Sequence, residues 1–353
     1  MKALKSLPKS LEATYDQILQ RIDPEDMPYV KTFLQWLVFG MRPLATEELA
    51  AVVTFDPSSG KFDSDLALLH HDYVIHLCSS LVTKTQDNTV KLAHASVKEY
   101  FLARQSMFQE GDIALLESGT AHCMIAYCCV KYLLQDEWCN AGNNSDFPLC
   151  YYACQYWPNH YKLSKEDSIL HATVITLFES EYRAFNKWVI GNTGTWELRA
   201  WYKKQLQLHY AAWFGLDSVV RKLINNTVSL EEYSMAVQIA AKEGNAGTVK
   251  LLLDTALNGM SAIDCDDQVQ VVSDEGPTEI MKLLLYKVPT NKYTKMYGNA
   301  LMAASLGGHT EVVKTLLENG TDMINVQGGE YGNALQAASY KGSCEVVKIL
   351  LEN

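Results

Sequence analysis

Cys150, Cys154 and His160, with Cys139 or His171 to complete a set, are the side chains of this sequence whose types could hold a metal ion. Structural zinc takes its cysteines in close pairs on tight knuckles. Cys150 and Cys154 instead fall one helical turn apart in "FPLCYYACQYWPNHYKL", flanked by Tyr151, Tyr152 and Tyr156, which is a core pattern. Cys128 and Cys129, inside "MIAYCCVKYLL", read as small buried hydrophobes. His70-His71-Asp72 and His94-x-Ser96 have the types needed for hydrolysis, but no G-x-S-x-G elbow accompanies them, and residues two apart do not orient each other for proton transfer. "HASVKEY" is not H-E-x-x-H, and His122, His160, His171 and His209 each sit in an aromatic or helical context that predicts a satisfied structural histidine. No G-x-x-x-x-G-K-[ST] is present, so no lysine-bearing phosphate cradle forms. No catalytic residue, metal or cofactor is expected, and the function to look for is binding.

The elements that would carry such a function repeat. "YGNALMAASLGGHTEVVKTLLENG" from Tyr297 returns at Tyr331 as "YGNALQAASYKGSCEVVKILLEN". Anchored on Gly308 and Gly342, the frame extends back to Gly276, Gly244 and Gly215, with spacings of 34, 32, 32 and 29 residues. Six residues after each glycine stands a basic residue in an apolar run: Arg221, Lys250, Lys282, Lys314 and Lys348. Such a period marks a repeat architecture. Each unit reads as a short alanine-rich helix, a glycine turn, and a second helix with a leucine and valine stripe at helical spacing. One such pair cannot bury both faces, so the units stack into a solenoid. With Leu301 to Gly320 as its best match, the pattern resembles the ankyrin repeat, and the "GGxYGNALQAAS" opening resembles the variant common in fungal ankyrin proteins. About five units are expected over residues 201–353, the first an atypical cap, those at Gly244 and Gly276 degenerate, and the last truncated as in a fragment of a longer array.

Composition supports a folded protein of two or three domains: 353 residues, 48% hydrophobic and 20% charged. The net charge of -11 divides into -7 for residues 1–200 and -4 for residues 201–353, with no lysine or arginine cluster, so no nucleic-acid partner is expected. No apolar run reaches the ~18 residues that cross a bilayer. "MKALKSLPKSLEATYD" lacks a signal-peptide core, and Lys2, Lys5 and Lys9 read as an exposed helix start. Nine scattered cysteines suggest reduced thiols and a cytoplasmic location.

Upstream of the repeats, "LPKSLEATYDQILQRID" and "MPYVKTFLQWLVFG" predict two helices, the second stopped by Gly40. "RPLATEELAAVV" predicts a third, with Thr46 as N-cap and Glu47 and Glu48 in its first turn. "SSLVTKTQDNTVKLAH" predicts a hairpin around Asp87-Asn88, and "SVKEYFLA" a closing helix. Residues 1–105 are therefore a winged-helix-like domain. Residues 106–200 predict a helical linker domain: a helix pair in "GDIALLESGTAHCMIAYCCVKYLL", a helix broken at Trp157-Pro158, and further helices in "DSILHATVITLFESEYRAFNKWV". The fold class is mainly α.

"SLPKSLEATYDQIL", "LQWLVFGMRPLATEELA" and "VKLAHASVKEYFL", in this order, resemble the winged-helix segment that follows the NACHT ATPase module in fungal STAND (NOD-like) proteins, and "FPLCYYACQYWPNH" resembles their element between winged helix and repeats. The resemblance implies a fragment lacking the ATPase core: an intact protein would be an NTPase switch, and these residues would not hydrolyse nucleotide. In that family a winged-helix histidine can contact nucleotide. His94 is the nearest match, although its place at a helix entrance reads as capping.

The expected function is protein interaction and signal coupling, with the repeats as sensor or partner-binding surface. The alternative is an autoinhibitory scaffold packing on the missing ATPase; a DNA-binding winged helix ranks below both, because "SVKEYFLARQ" offers only Lys98 and Arg104. In each unit the two residues before the anchor glycine escape the apolar spacing: Trp213-Phe214, Lys242-Glu243, Asp274-Glu275, Leu306-Gly307 and Tyr340-Lys341. They differ in size and charge while the frame recurs. The ankyrin resemblance places them on the concave face, facing a protein partner or the upstream NACHT module, with Trp213 and Tyr340 as anchors because aromatic residues dominate interfaces.

Overall fold

The computed structural model describes residues 11–63, 75–78, 80–103, 117–135, 147–180, 183–193, 205–224, 230–259, 294–319, 324–327 and 331–353. The chain divides into two compact units, Met1–Leu198 and Arg199–Asn353.

The first unit opens with α1 (Leu11–Leu19) and α2 (Met27–Phe39). Val30, Phe33, Leu34, Trp36 and Val38 of α2 are buried, as its apolar run requires. The helix stops at Gly40, whose N–H still reaches the Trp36 carbonyl at 2.9 Å; a Cβ there would stand 2.5 Å from that oxygen, so only glycine fits the exit. β1 (Leu44–Ala45) leads into α3 (Thr46–Val53). Thr46 is not the N-cap. It is the first helical residue, its N–H donates to the Asn88 carbonyl, and Glu48 supplies the cap by accepting from Ala45 N–H at 2.8 Å. The hairpin β2 (Phe55–Asp56) and β3 (Lys61–Phe62) follows. The expected hairpin is β4 (Val82–Lys84) and β5 (Thr89–Leu92), turning at Asn88 with φ 61°, a left-handed conformation that asparagine tolerates. β1 adds to it in a three-stranded antiparallel sheet of order β1-β5-β4. α4 (Ala95–Ala103) closes this part and is tied to α1 by Tyr100 donating to Asp16 at 2.6 Å and by a Tyr15–Ser96 hydroxyl contact at 2.7 Å.

The rest of this unit is helical. From the expected pair in residues 111–134, α5 (Ser118–Leu133) is described and residues 104–116 lie outside the described set. α6 (Cys150–Leu163) runs through Pro158 without the expected break. Proline removes the N–H that would bond Cys154 O and normally kinks a helix. Here the Trp188 indole N–H of α8 (Arg183–Thr193) donates to that carbonyl at 3.0 Å, supplying a donor in place of the one proline lacks. α7 (Ser168–Glu179), capped by Asp167 accepting from Leu170 N–H at 2.7 Å, adds Phe178 to the cluster of Trp157, Phe185 and Trp188.

One hydrogen bond crosses from the winged-helix part to the helical part and leads into a buried polar relay. Met41 N–H donates to Tyr152 Oη at 2.9 Å, Tyr152 Oη lies 2.8 Å from His160 Nε2, and His160 Nδ1 lies 2.8 Å from His122 Nδ1. One assignment accounts for all three bonds: the tyrosine donates to His160 Nε2, His160 Nδ1–H donates to His122 Nδ1, and both rings are neutral. Beside it, Arg42 makes a bidentate pair with Glu48 at 2.6 and 2.8 Å, its guanidinium 5.1 Å from the Tyr152 ring centroid and 5.7 Å from that of Tyr151.

The second unit is a row of helix pairs: α9 (Gln205–Phe214) with α10 (Asp217–Leu223), α11 (Leu230–Lys242) with α12 (Ala246–Gly259), α13 (Thr294–Gly307) with α14 (Thr310–Asn319), and α15 (Ala334–Lys341) with α16 (Cys344–Glu352). Gly215, Gly244, Gly308 and Gly342 all have φ between 63° and 77°. In all four turns the next residue's N–H reaches back to the carbonyl five residues earlier, Leu216 to Ala211, Asn245 to Ala240, His309 to Ala304 and Ser343 to Ala338, at 2.9 to 3.0 Å. This left-handed closure ends the first helix and aims the second. First helices pack on first helices (α9 on α11, α13 on α15) and second on second (α10 on α12, α14 on α16). Ala211, Ala212, Ala240, Ala241, Ala304, Ala337 and Ala338 line the first-helix seam and are buried.

Burial and its neighbour His122 push the His160 pKa down to about 3, and burial lowers that of His122. The unfolded chain titrates near the ordinary value of ~6.5. Neutral burial therefore contributes stability above pH ~6.5 that is lost as pH falls towards 3, by about 1.4 kcal/mol per pH unit for one such group. Urea unfolding of the first unit at pH 7.5 and 5 should show this loss, and His160→Gln should reduce it. An equal loss in the variant would remove the histidine from the explanation.

Candidate partner-binding surface

The surface is set by the glycine turn. In the four described pairs, the two residues before the anchor glycine stand at the end of the first helix, past the alanine seam, where nothing in the repeat requires them to be apolar. Trp213 is 41% exposed and Tyr340 74%, while Ala212 and Ala338, in the same helices, are fully buried. Lys242, Glu243 and Lys341 are exposed, and Phe214 and Leu306 are half-buried. Asp274 and Glu275 lie outside the described residues, as do Gly276 and Leu283 of their unit.

The tips differ in character. Trp213 and Phe214 stack nearly parallel at 13° and 6.0 Å, with Tyr210 at 5.7 Å from Trp213, giving an aromatic ledge. Asn245 ties this ledge to the next pair by donating to the Ala212 and Trp213 carbonyls at 2.9 and 2.7 Å. Lys242 and Glu243 form an ampholytic tip. At Leu306-Gly307 the His309 ring folds back so closely that a Cβ on Gly307 would collide with it. Tyr340 packs on Tyr331 with ring centroids 4.9 Å apart. Tyr210 and Tyr331 were not singled out in the sequence: Tyr331 belongs to the recurring "YGNAL" opening and reads there as frame, not tip.

The other groups with chemical potential are held structurally. Cys150 and Cys154 are buried with their sulfurs 4.0 Å apart, and Cys139 lies outside the described residues. Among the described residues no three histidine, cysteine or acidic side chains converge as metal ligands. Burial pushes the Cys78 thiol up to about 12 and raises Cys128 and Cys129, which makes poor nucleophiles. His171 bonds Tyr161 at 3.1 Å and His209 meets the Glu232 carbonyl at 3.3 Å. His94 Nδ1 accepts from Ser96 N–H at 3.1 Å and so caps α4, as a helix entrance implies. It lines a cleft of about 350 Å³ together with Arg42, Lys91 and Lys98. His70 and His71, Lys2, Lys5 and Lys9, and Arg104 lie outside the described residues. No helix among the described residues is long and apolar enough to cross a membrane.

Seam and tip should separate in stability measurements. Leu316, 2% exposed in α14, should cost ~2–5 kcal/mol on substitution by alanine. Tyr340→Ala loses one aromatic contact and should cost about 1 kcal/mol or less. Equal costs in urea unfolding would contradict the division.

Comparison with known proteins agrees with this architecture. Residues 25–115 match the winged helix domain of GPI inositol-deacylase, and residues 269–353 match ankyrin repeats in three copies. The chain is similar to the azaphilone pigments biosynthesis cluster protein L of Monascus ruber, 28% identical over 342 residues. That alignment covers 91% of this chain and 61% of the relative, so the chain spans about three fifths of the length of the curated protein it matches. The chain is a mostly helical protein in which a winged-helix-like mixed α/β module precedes ankyrin-like helix repeats.

Proposed function

We propose that this chain is a non-catalytic protein-interaction and coupling segment of a STAND-type NTPase receptor, in which the first-helix tips of the ankyrin repeats bind a protein partner. The observation that carries the reading is the contrast within each helix pair. Seam residues recur and are buried, whereas the tips at 213–214, 242–243, 306 and 340–341 vary in chemistry and are exposed or half-exposed. Repeat arrays offer such positions as an extended binding surface. Aromatic groups at Trp213 and Tyr340 supply desolvatable area, and the charges at Lys242, Glu243, Asp274, Glu275 and Lys341 supply electrostatic selection.

Coupling follows from the first unit. The Met41–Tyr152 hydrogen bond and the packing of Arg42, itself paired with Glu48, over the Tyr151 and Tyr152 rings join its winged-helix and helical parts, and the Tyr152–His160–His122 bonds continue from that join, so that a displacement of one part is resisted by the other. Nucleotide hydrolysis would belong to an upstream ATPase module of the NACHT type, and that module is the second partner the reading allows.

The test is a quadruple change, Lys242→Ala, Glu243→Ala, Asp274→Ala and Tyr340→Ala, measured for affinity and thermal midpoint together. The binding partners to assay are an upstream NACHT module and proteins captured by the wild-type chain. Affinity should fall at least tenfold with the midpoint nearly unchanged. Unchanged affinity at an unchanged midpoint would remove the tips from the interface, and tight binding of the NACHT module alone would establish the autoinhibitory form. Magnesium-dependent ATP turnover by this chain would overturn the non-catalytic reading.

A further inference from the structure

The cleft of about 350 Å³ in the winged-helix part has an apolar floor that includes Leu37 of α2, Met41 and Leu92 of β5. From Phe33 to Phe39 every residue of α2 is buried except Leu37, so the one gap in the packing of that helix opens here. The rim is cationic. Arg42, Lys91, His94 and Lys98 line it, and no acidic side chain among the described residues does. Arg42 is occupied by its pair with Glu48. Lys91 and Lys98 are exposed and form no ion pair with a described residue. His94 adds a donor of fixed direction. Its Nδ1 accepts from Ser96 N–H at 3.1 Å, which leaves the ring proton on Nε2, and Ser96 Oγ is held in turn by Tyr15 Oη of α1 at 2.7 Å. In a chain of net charge -11 this rim is a local reversal of sign.

We infer that this cleft is a docking groove for an acidic segment of a protein partner, whose apolar side chains settle on Leu37, Met41 and Leu92 while its carboxylates reach Lys91, Lys98 and His94 Nε2–H. Charge complementarity selects the occupant. Carboxylates neutralise the two lysines without displacing Glu48 from Arg42, and leucine-like side chains between them remove the floor from water. Two unpaired lysines are too few to hold a run of phosphates. A nucleobase would need an aromatic face to stack on, and no Phe, Tyr or Trp among the described residues lines the cleft. The groove belongs to the first unit, and the inference does not depend on the proposed ankyrin tips.

The experiment titrates the whole chain into a short fluorescent peptide alternating leucine and glutamate, with leucine–glutamine and leucine–lysine peptides, ATP and a short DNA duplex as competing probes. The glutamate peptide should bind, and the glutamine peptide should bind at least tenfold more weakly. Lys91→Ala with Lys98→Ala should lower affinity for the glutamate peptide about tenfold. The thermal midpoint should move by less than about 2 °C, because both side chains are exposed. Leu37→Asn should weaken binding as well, since the floor contributes. Lys91→Glu with Lys98→Glu should lose the glutamate peptide and bind the lysine peptide more tightly than the wild type does, a gain that an unfolded variant cannot give. Failure of the wild type to bind the glutamate peptide, or binding indifferent to the lysine changes or to Leu37→Asn, would overturn the inference. So would tighter binding of ATP or the duplex through the same lysines, since the cleft would then be a phosphate site.

Discussion

A pair of short helices cannot bury two apolar faces against each other, and the repeat region is organised around that shortage. Each pair must lend a face to the next, which requires the second helix to leave the first at a fixed angle every time. The left-handed glycine does this. Gly215, Gly244, Gly308 and Gly342 take nearly one conformation, and each is followed by the same backward bond to a seam alanine. Any residue with a Cβ strains that conformation. At Gly308 a Cβ would also press on Ser343 Oγ at 2.9 Å, whereas at Gly342 it would meet nothing within 4 Å. Backbone geometry thus decides where the seam lies, and the seam decides which positions packing leaves unconstrained. The tips can vary because they stand one step past the last residue that packing constrains.

The first unit solves a different problem, that of holding a small mixed module against a helical block. It uses aromatic mass with polar bonds at the join. Trp188 serves twice, packing against Trp157 and supplying the hydrogen bond that lets α6 continue through Pro158. Tyr152 likewise buries its ring against Trp36 and Arg42 while its hydroxyl links Met41 to His160. Residues that act in two interactions at once are costly to replace singly.

The sequence disclosed what is local or periodic. The glycine frame, the β4–β5 turn at Asn88 and the capping place of His94 follow from neighbours within a few residues. What it hid depends on distant partners. Pro158 reads as a break because Trp188 is thirty residues away. The His122–His160 pair spans 38 positions and carries no motif. Thr46 reads as an N-cap, yet its N–H is taken by Asn88 of the hairpin, and Glu48 caps instead. The strands β1, β2 and β3, two residues each, are too short to leave a period. At the tips, variation at a fixed register was legible, while the Tyr331–Tyr340 and Tyr210–Trp213 contacts were not, because the first tyrosine of each pair sits inside a packed segment.

The account rests on stability residing in the seam between helix pairs and not in the tips. Native-state amide exchange on the whole chain measures that division directly. It should find the slowest amides of the second unit at buried seam positions, such as 301–305 and 313–317, with markedly faster exchange at 213–215, 242–244, 306–308 and 340–342. Uniform protection across seam and tips, or the slowest exchange at the tips, would contradict it.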